Sequence, residues 1–287
     1  MSEFFASLLE ILPREPAAVY AVVASTKGST PQTAGAKAAF LPDGRVVGTI
    51  GGGCLEAEAQ RRAREVREDG KPVLFEIRLD GESAWDNGLI CGGSAEVFLI
   101  PGIAGSREVL QQLRARQARR ERLVLVTVVA SAGPLTVGTL HLVSGDEVIS
   151  SVPATAGSQP LLRAIARQAL EMPGEILRNV VEAPGLRVLV EPVLPRPTLL
   201  IVGAGHVGAA LCRVAAWLDF EVVVVDDRAS FANRQRLPDA ARIVVGDPPA
   251  VVREFPMTRD TYVVIVTRGH RHDAQALQEC VNAPTAY

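Results

Sequence analysis

The apolar positions of this chain come in short runs separated by glycine, proline and charged turns. Residues 17–24 and 122–131 are valine-rich, and 198–202 is a short apolar run; none alternates, the pattern of strands covered on both faces. Helical spacing among strong helix formers predicts helices over residues 2–12, 55–69, 106–120 and 159–171. Pro13 and Pro16 stop the first, and Gly70 with Pro72 ends the second. Shorter runs at 35–40 and 45–50, joined by Pro42-Asp43-Gly44, read as paired strands, and further strands are expected at 73–79 and 95–100.

The pattern then restarts. Val22-Val23-Ala24-Ser25 returns as Val128-Val129-Ala130-Ser131, and Gly138 to Leu142 with Gly145-Asp146-Glu147 echoes the first strand and turn. A helix at 159–171 and a strand at 187–191 close the second unit as 95–100 closes the first. This is a degenerate internal duplication. The proline-rich segment 192–197 reads as a stiff linker. The expected organisation is α/β throughout. An N-terminal unit (1–104) carries glycine–cysteine loops, a related unit with the linker follows (105–196), and a Rossmann-like parallel-sheet domain closes the chain (197–287).

Composition narrows the function classes. At 287 residues, 48% hydrophobic and 22% charged, the chain has the makeup of a globular protein with ample core. A net charge of −2 gives no basic field, and 5% aromatics leave little for base stacking, so no nucleic-acid partner is expected. Cys54, Cys91, Cys212 and Cys280 lie far apart with no C-x-x-C pair, which fits neither a zinc framework nor a disulfide scaffold and suits a reducing cytoplasm. The first residues lack the basic start of a signal peptide. The most apolar stretch, 198–218, contains His206, Arg213 and three glycines, so it reads as strand, turn and helix rather than a membrane span.

Three places carry candidate chemistry. Gly51-Gly52-Gly53-Cys54 precedes a helix, where free backbone N–H groups and the helix terminus favour an anion and a thiol ionises more readily. A tight turn followed by a small buried cysteine explains the same residues. Lys37 either reaches an anion on this loop or is a solvated lysine on a strand face. Cys91-Gly92-Gly93 is a second loop of the same kind. If Cys54 and Cys91 meet, paired thiolates form soft ligands for molybdenum, copper(I) or sulfur chemistry. If they do not, each glycine pair simply makes a turn. The second copy has neither loop, which assigns the chemistry to the first.

The third place is a strand followed by Gly203-Ala204-Gly205-His206-Val207-Gly208, a helix, and a strand ending in Asp226-Asp227. That full context marks a Rossmann βαβ unit: Gly203 for the turn, Gly205 for approach of a pyrophosphate, Gly208 for helix packing, Asp226 for a ribose diol. Asp226 suits NAD, whereas Arg228 admits a 2′-phosphate, so NAD(P) or another nucleotide is expected. His270, His272 and Asp273 follow a later strand and line the ligand crevice or cap the next helix. Fewer residues follow than a six-stranded doubly wound sheet needs.

Together, Gly28-Ser29-Thr30-Pro31, Gly35-Ala36-Lys37, Gly48 to Glu56, Cys91-Gly92-Gly93, Gly203 to Gly208 and Gly269 to Asp273 resemble the XdhC/CoxI family, the xanthine dehydrogenase accessory factors. The motifs run nearly the whole chain in the family's order. The resemblance implies a cytoplasmic maturation factor that binds molybdenum cofactor, as molybdopterin or its dinucleotide, and helps insert it in sulfurated form into a molybdenum hydroxylase. A client apoenzyme and a sulfur-donating cysteine desulfurase are the implied partners, and a homo-oligomer is expected. Cys54 and Cys91 are then possible molybdenum contacts. The alternatives are an NAD(P)-dependent oxidoreductase, with His206 or His270 near the chemistry, and a nucleotide-binding assembly module without redox chemistry.

Overall fold

The computed structural model describes residues 2–79, 92–153, 155, 157–171, 176–180 and 183–287. Contacts divide the chain into two units, Met1–Leu194 and Pro195–Tyr287.

In the first unit one element order occurs twice. Helix α1 (Ser2–Ile11) leads to strands β1 (Val19–Lys27), β2 (Lys37–Phe40) and β3 (Val46–Gly48), helix α2 (Gly53–Asp69), and strands β4 (Val73–Arg78) and β5 (Ser94–Ile100). After a 3-10 turn, helix α3 (Arg107–Ala118) leads to β6 (Leu123–Ala130), β7 (Leu140–Ser144), β8 (Glu147–Ser150), helix α4 (Ser158–Glu171), β9 (Leu177–Asn179) and β10 (Arg187–Val193). The two sheets have the same strand order, β3-β2-β1-β5-β4 and β8-β7-β6-β10-β9, and every pair is antiparallel. The duplication expected from the sequence is therefore present in the topology.

Hydrogen bonds align the copies residue by residue. Gly35 N–H donates to Val23 and Val23 N–H to Ala36; likewise Gly138 donates to Val128 and Val128 to Thr139. Both central strands skip one residue at the same place, between Val23 and Ser25 and between Val128 and Ala130. Val23 thus matches Val128. The sequence echo, which sets Val22 against Val128, is one residue out of register. In strands apolar on both faces no alternation fixes the register; the glycine turns at Gly35 and Gly138 do.

Period-2 geometry sends alternate residues of β1 into two cores. Val19, Ala21 and Val23 meet Leu55, Ala59, Ala63 and Val66 of α2. Tyr20, Val22 and Ala24 join a core built with α1, α3 and the second sheet's Leu125, Leu142 and Leu189. The alanines on the buried face of α2 let it lie close to the sheet, and Gly70 ends it in a left-handed cap donating to Val66. Pro192, expected in a linker, lies within β10. Val190 N–H bonds Ile176, so the missing N–H of Pro192 falls on the same side of the strand, where β9 pairing has ended.

In the second unit, β11 (Thr198–Val202), helix α5 (His206–Trp217), β12 (Glu221–Asp226), β13 (Arg242–Val245), helix α6 (Pro248–Glu254), β14 (Thr261–Ile265) and helix α7 (His270–Cys280) form a parallel sheet of order β13-β12-β11-β14. Buried side chains of β11 feed cores on both faces. The order reverses at β11, so the crevice beyond the carboxyl ends of β11 and β14 is the expected ligand position. Among the described residues no helix is long and apolar enough to cross a membrane.

Candidate functional site

The loop after β1, residues 28–36, is the hub of the first unit's candidate site. A Cβ on Gly93 would lie 2.4 Å from the Ser29 carbonyl oxygen and 2.5 Å from that of Lys27. A Cβ on Gly51, whose φ is 124°, would lie 2.9 Å from Pro31. Both glycine loops therefore close on one segment: at Gly93 the absence of a side chain lets backbone meet backbone, and at Gly51 it leaves room for the Pro31 ring. Sequence reasoning places the chemistry in the two glycine loops and misses that this segment joins them. Its Gly28-Ser29-Thr30-Pro31 is the available signal.

Gly52 (φ 65°) is the N-cap of α2, and the first N–H groups of the helix, Gly53 to Leu55, have no intrahelical acceptor. Thr49 Oγ1 accepts from Gly51 N–H at 3.1 Å. The cradle is partly filled from within: Glu56 reaches back so that Oε1 accepts the Ile50 N–H at 3.4 Å, while Oε2 lies 3.9 Å from where a Gly52 Cβ would be. A carboxylate at a helix N-terminus is stabilised there, as a phosphate would be. Cys54 is a free, partly buried cysteine against the α2 core. Cys91 lies outside the described residues, so the meeting of Cys54 and Cys91 is not described; Gly92 and Gly93 stand beside Gly28. Cys212 and Cys280 are buried, and burial pushes both thiols up.

Lys37 neither reaches the glycine loop's anion position nor points to solvent. It is buried, its Nζ donating to Gly35 O at 2.7 Å and to the carboxylate of Glu191 from the second copy. A cavity of about 470 Å³ opens beside this pair, lined also by Phe4, Thr33, Gly48 and Thr49. In the second copy His141 stands where Ala38 does, with Nε2 2.9 Å from Thr139 Oγ1 and Nδ1 2.7 Å from Ser150 Oγ.

In the second unit Gly203 (φ 118°) passes so close to β14's exit that a Cβ would meet Val266 O at 2.5 Å. Gly208 packs α5 on the Gly203 carbonyl, and Gly205, at the α5 N-cap, faces open space. His206 is exposed beside it. Asp226, the acid expected at a ribose diol, already has partners within the chain. It is buried, accepting from Ala204 N–H at 2.7 Å and from the Arg228 guanidinium at 2.8 and 2.9 Å. Burial alone would raise its carboxyl; the Arg228 side chain, then the N–H groups of Ala204 and Arg228, outweigh that and hold it at about 2. Its carboxylate therefore fixes the glycine turn, and the half-exposed acid at the strand end is Asp227, 3.4 Å from Arg268. Asp273 accepts from Thr267 Oγ1 at 2.5 Å, tying the start of α7 to the preceding turn. His270 and His272 begin α7, and their side chains lie outside the described residues. Among the described residues, no three His, Cys, Asp or Glu side chains gather as a metal site.

Comparison with known proteins follows the same two-part division. The XdhC and CoxI family model matches residues 12–78, and the XdhC Rossmann domain model matches 199–287. A protein of Bacillus subtilis (strain 168) described as a probable xanthine dehydrogenase subunit is 22% identical over 282 residues, spanning 95% of this chain and 78% of that protein. "Uncharacterized protein YqeB" of Escherichia coli (strain K12) is also 22% identical, over 93% of this chain but only 32% of its own length. A crystal structure described as a xanthine dehydrogenase from Bacillus halodurans shares the fold, with a TM-score of 0.69 at 23% identity over 99% of this chain and 80% of the other. With the N-terminal model and the Rossmann model of one family matched in order, the chain belongs to the XdhC/CoxI family.

Proposed function

We propose that the chain is an accessory factor that binds molybdenum cofactor and assists its sulfuration and insertion into a xanthine dehydrogenase-type molybdenum hydroxylase. The observation that carries this reading is the 28–36 loop held by two glycine loops, one of them opening α2 with Cys54 in its first turn. Phosphate chemistry suits that place, because the N–H groups that begin α2 lack internal acceptors and the carboxylate now beside them is an anion on a rotatable side chain. Gly51 to Gly53 and Gly92-Gly93 would hold the phosphate end, and the Cys54 thiol is the soft group near it. Bound cofactor supplies the molybdenum centre the client enzyme needs; the chain's own residues bind it, orient it and shield it from water. Kinship with a probable xanthine dehydrogenase component supports a molybdenum hydroxylase as client and, through the sulfurated cofactor it needs, a cysteine desulfurase as sulfur donor.

The test is molybdenum and pterin analysis of the chain purified from cells that make the cofactor. Near-stoichiometric molybdenum with oxidisable pterin is expected, reduced in Cys54→Ala; a chain free of both would end the reading. A second reading, a nucleotide-binding assembly module without redox chemistry, is favoured by the open space above Gly205 at the α5 N-terminus. It predicts binding of NAD(H) or NADP(H) without turnover and indifference to loss of the cysteines.

A further inference from the structure

The two copies meet along two edges related by their internal duplication, and the edges are built differently. Lys37 pairs with Val22 on β1, as Leu140 pairs with Thr127 on β6, so Lys37 and Leu140 occupy matching positions. Glu191 pairs with Leu125 as Ile100 pairs with Tyr20, so Glu191 matches Ile100 and Tyr20 matches Leu125. The surroundings agree: a Cβ on Gly35 would face Glu191 Oε1 and Ile176 at 3.8 Å, and one on its counterpart Gly138 would face Ile100 at 3.6 Å. One edge is closed by Leu140, Ile100 and Leu125, all in the shared apolar core. The other holds Lys37, Glu191 and Tyr20, respectively 7%, 3% and 1% exposed.

Packing does not require this polar trio, since the same fold closes the matching edge with aliphatic side chains. A buried ion pair is seldom more stable than such a replacement. The trio is also incompletely satisfied: among the described residues neither Glu191 Oε2 nor the Tyr20 hydroxyl has a hydrogen-bond partner. Buried polar atoms are ordinarily paired, and an unpaired one calls for an explanation such as a ligand or a catalytic role. Lys37 Nζ carries three N–H donors, and two are used, on Gly35 O and Glu191. The cavity of about 470 Å³ lies directly against this pair.

We propose that this edge binds an uncharged 2-amino-4-oxopyrimidine ring, the headgroup shared by pterins and guanine. Glu191 Oε2, unpaired and closed to solvent as the side chain stands, accepts from the ring N–H and exocyclic amine once the carboxylate turns toward the cavity, and the remaining Lys37 N–H donates to the neighbouring ring carbonyl. The ion pair is neutral overall, which suits an uncharged ring with a donor beside an acceptor. Phe4, Ile176 and Pro192 supply an apolar wall for its faces. The choice of a pterin rests on the carrier reading above, and it deepens that reading: Gly48 and Thr49 line the cavity and lead directly into the phosphate cradle at Gly51.

The experiment is a fluorescence titration of the full chain with 6-hydroxymethylpterin, with lumazine, which lacks the amino donor, and with guanosine. Saturable pterin binding is expected, with lumazine weaker by about tenfold, the scale of one hydrogen bond to a charged group. The Lys37→Leu/Glu191→Ile double variant copies the apolar edge; it is expected to fold with an unchanged or higher melting temperature and to lose pterin binding by about fiftyfold or more. Glu191→Gln, closer in shape, should weaken binding about tenfold and serves if the double variant does not fold. Pterin bound no better than lumazine, or undiminished in the variants, overturns the site. Guanosine binding in preference to pterin overturns the link to the carrier reading. A wild-type chain that binds pterin in vitro yet retains no molybdenum cofactor from cells overturns the carrier reading and leaves the site standing. A chain that retains cofactor unaffected by the double substitution does the reverse.

Discussion

The carboxylate of Asp226 accepts the N–H of Ala204 at 2.7 Å, so the end of one strand is fastened to the glycine turn that follows its neighbour. Asp226→Asn keeps the shape but weakens the charge-assisted bonds to Ala204 and Arg228. A loss of about 2 kcal/mol is expected, read as a lower melting temperature and faster amide exchange over residues 203–208. Because the folded carboxyl titrates at about 2, below its ordinary value near 4, its contribution is complete above pH ~4 and is lost as pH falls toward 2. Unchanged exchange in the turn would show that the bond does not hold it.

His141 gives a second, separate pH dependence. Burial lowers its imidazole to about 4. The folded state then favours the neutral ring, so the unfolded chain binds the proton first. Stability is complete above the ordinary value near 6.5 and erodes as pH falls toward 4, by about 3 kcal/mol in all. Melting temperatures between pH 7.5 and 4.5 should fall for the wild type and fall less for His141→Leu. The Asp226 contribution is constant across that window, so the two pH dependences are separable.

Glu56 occupies part of the cradle it helps to build. Glu56→Gln removes the competing charge while keeping the hydrogen bond to Ile50, so inorganic phosphate should bind about fivefold tighter, the scale of one charge at a helix N-terminus. Calorimetric titration at low ionic strength reads the effect. Equal or weaker phosphate binding would mean that the loop is not an anion site.

Glycine at position 93 is a requirement of contact rather than of backbone angle. Gly93→Ala drives a methyl into two carbonyl oxygens and should cost about 3 kcal/mol, at the upper end of overpacking effects. Gly105→Ala, with nothing near its added carbon, should change stability by less than about 0.5 kcal/mol. Equal melting temperatures for the two variants would contradict the close approach of the glycine loop to residues 28–31.

Much of this fold is legible from residue order alone. The central strands announce themselves because valine-rich runs bounded by glycine turns have few other uses, and the Gly203 to Gly208 turn carries its own geometry. Strands β8 and β9 are not legible: Glu147 to Ser150 and Leu177 to Asn179 are short, half-polar edges that pair only because a neighbour is already in place. The sites divide the same way. Glycines at positive φ can be anticipated, since no other residue accepts those angles cheaply. The partners of Asp226, Lys37 and Glu56 cannot, because each is chosen by chain segments distant in sequence or by a side chain folding back. Lys37 and Glu191, 154 residues apart, meet only once both copies are built.

The paired edges also bear on how such a unit arises. Two identical protomers around a twofold axis present the same residues at both edges, so any charge introduced at one is introduced at the other. Joined in one chain, the copies mutate independently, and one edge can turn polar while its twin goes on sealing the core. Lys37 opposite Glu191, with Leu140 opposite Ile100, is an asymmetry open to a fused pair and closed to a homodimer.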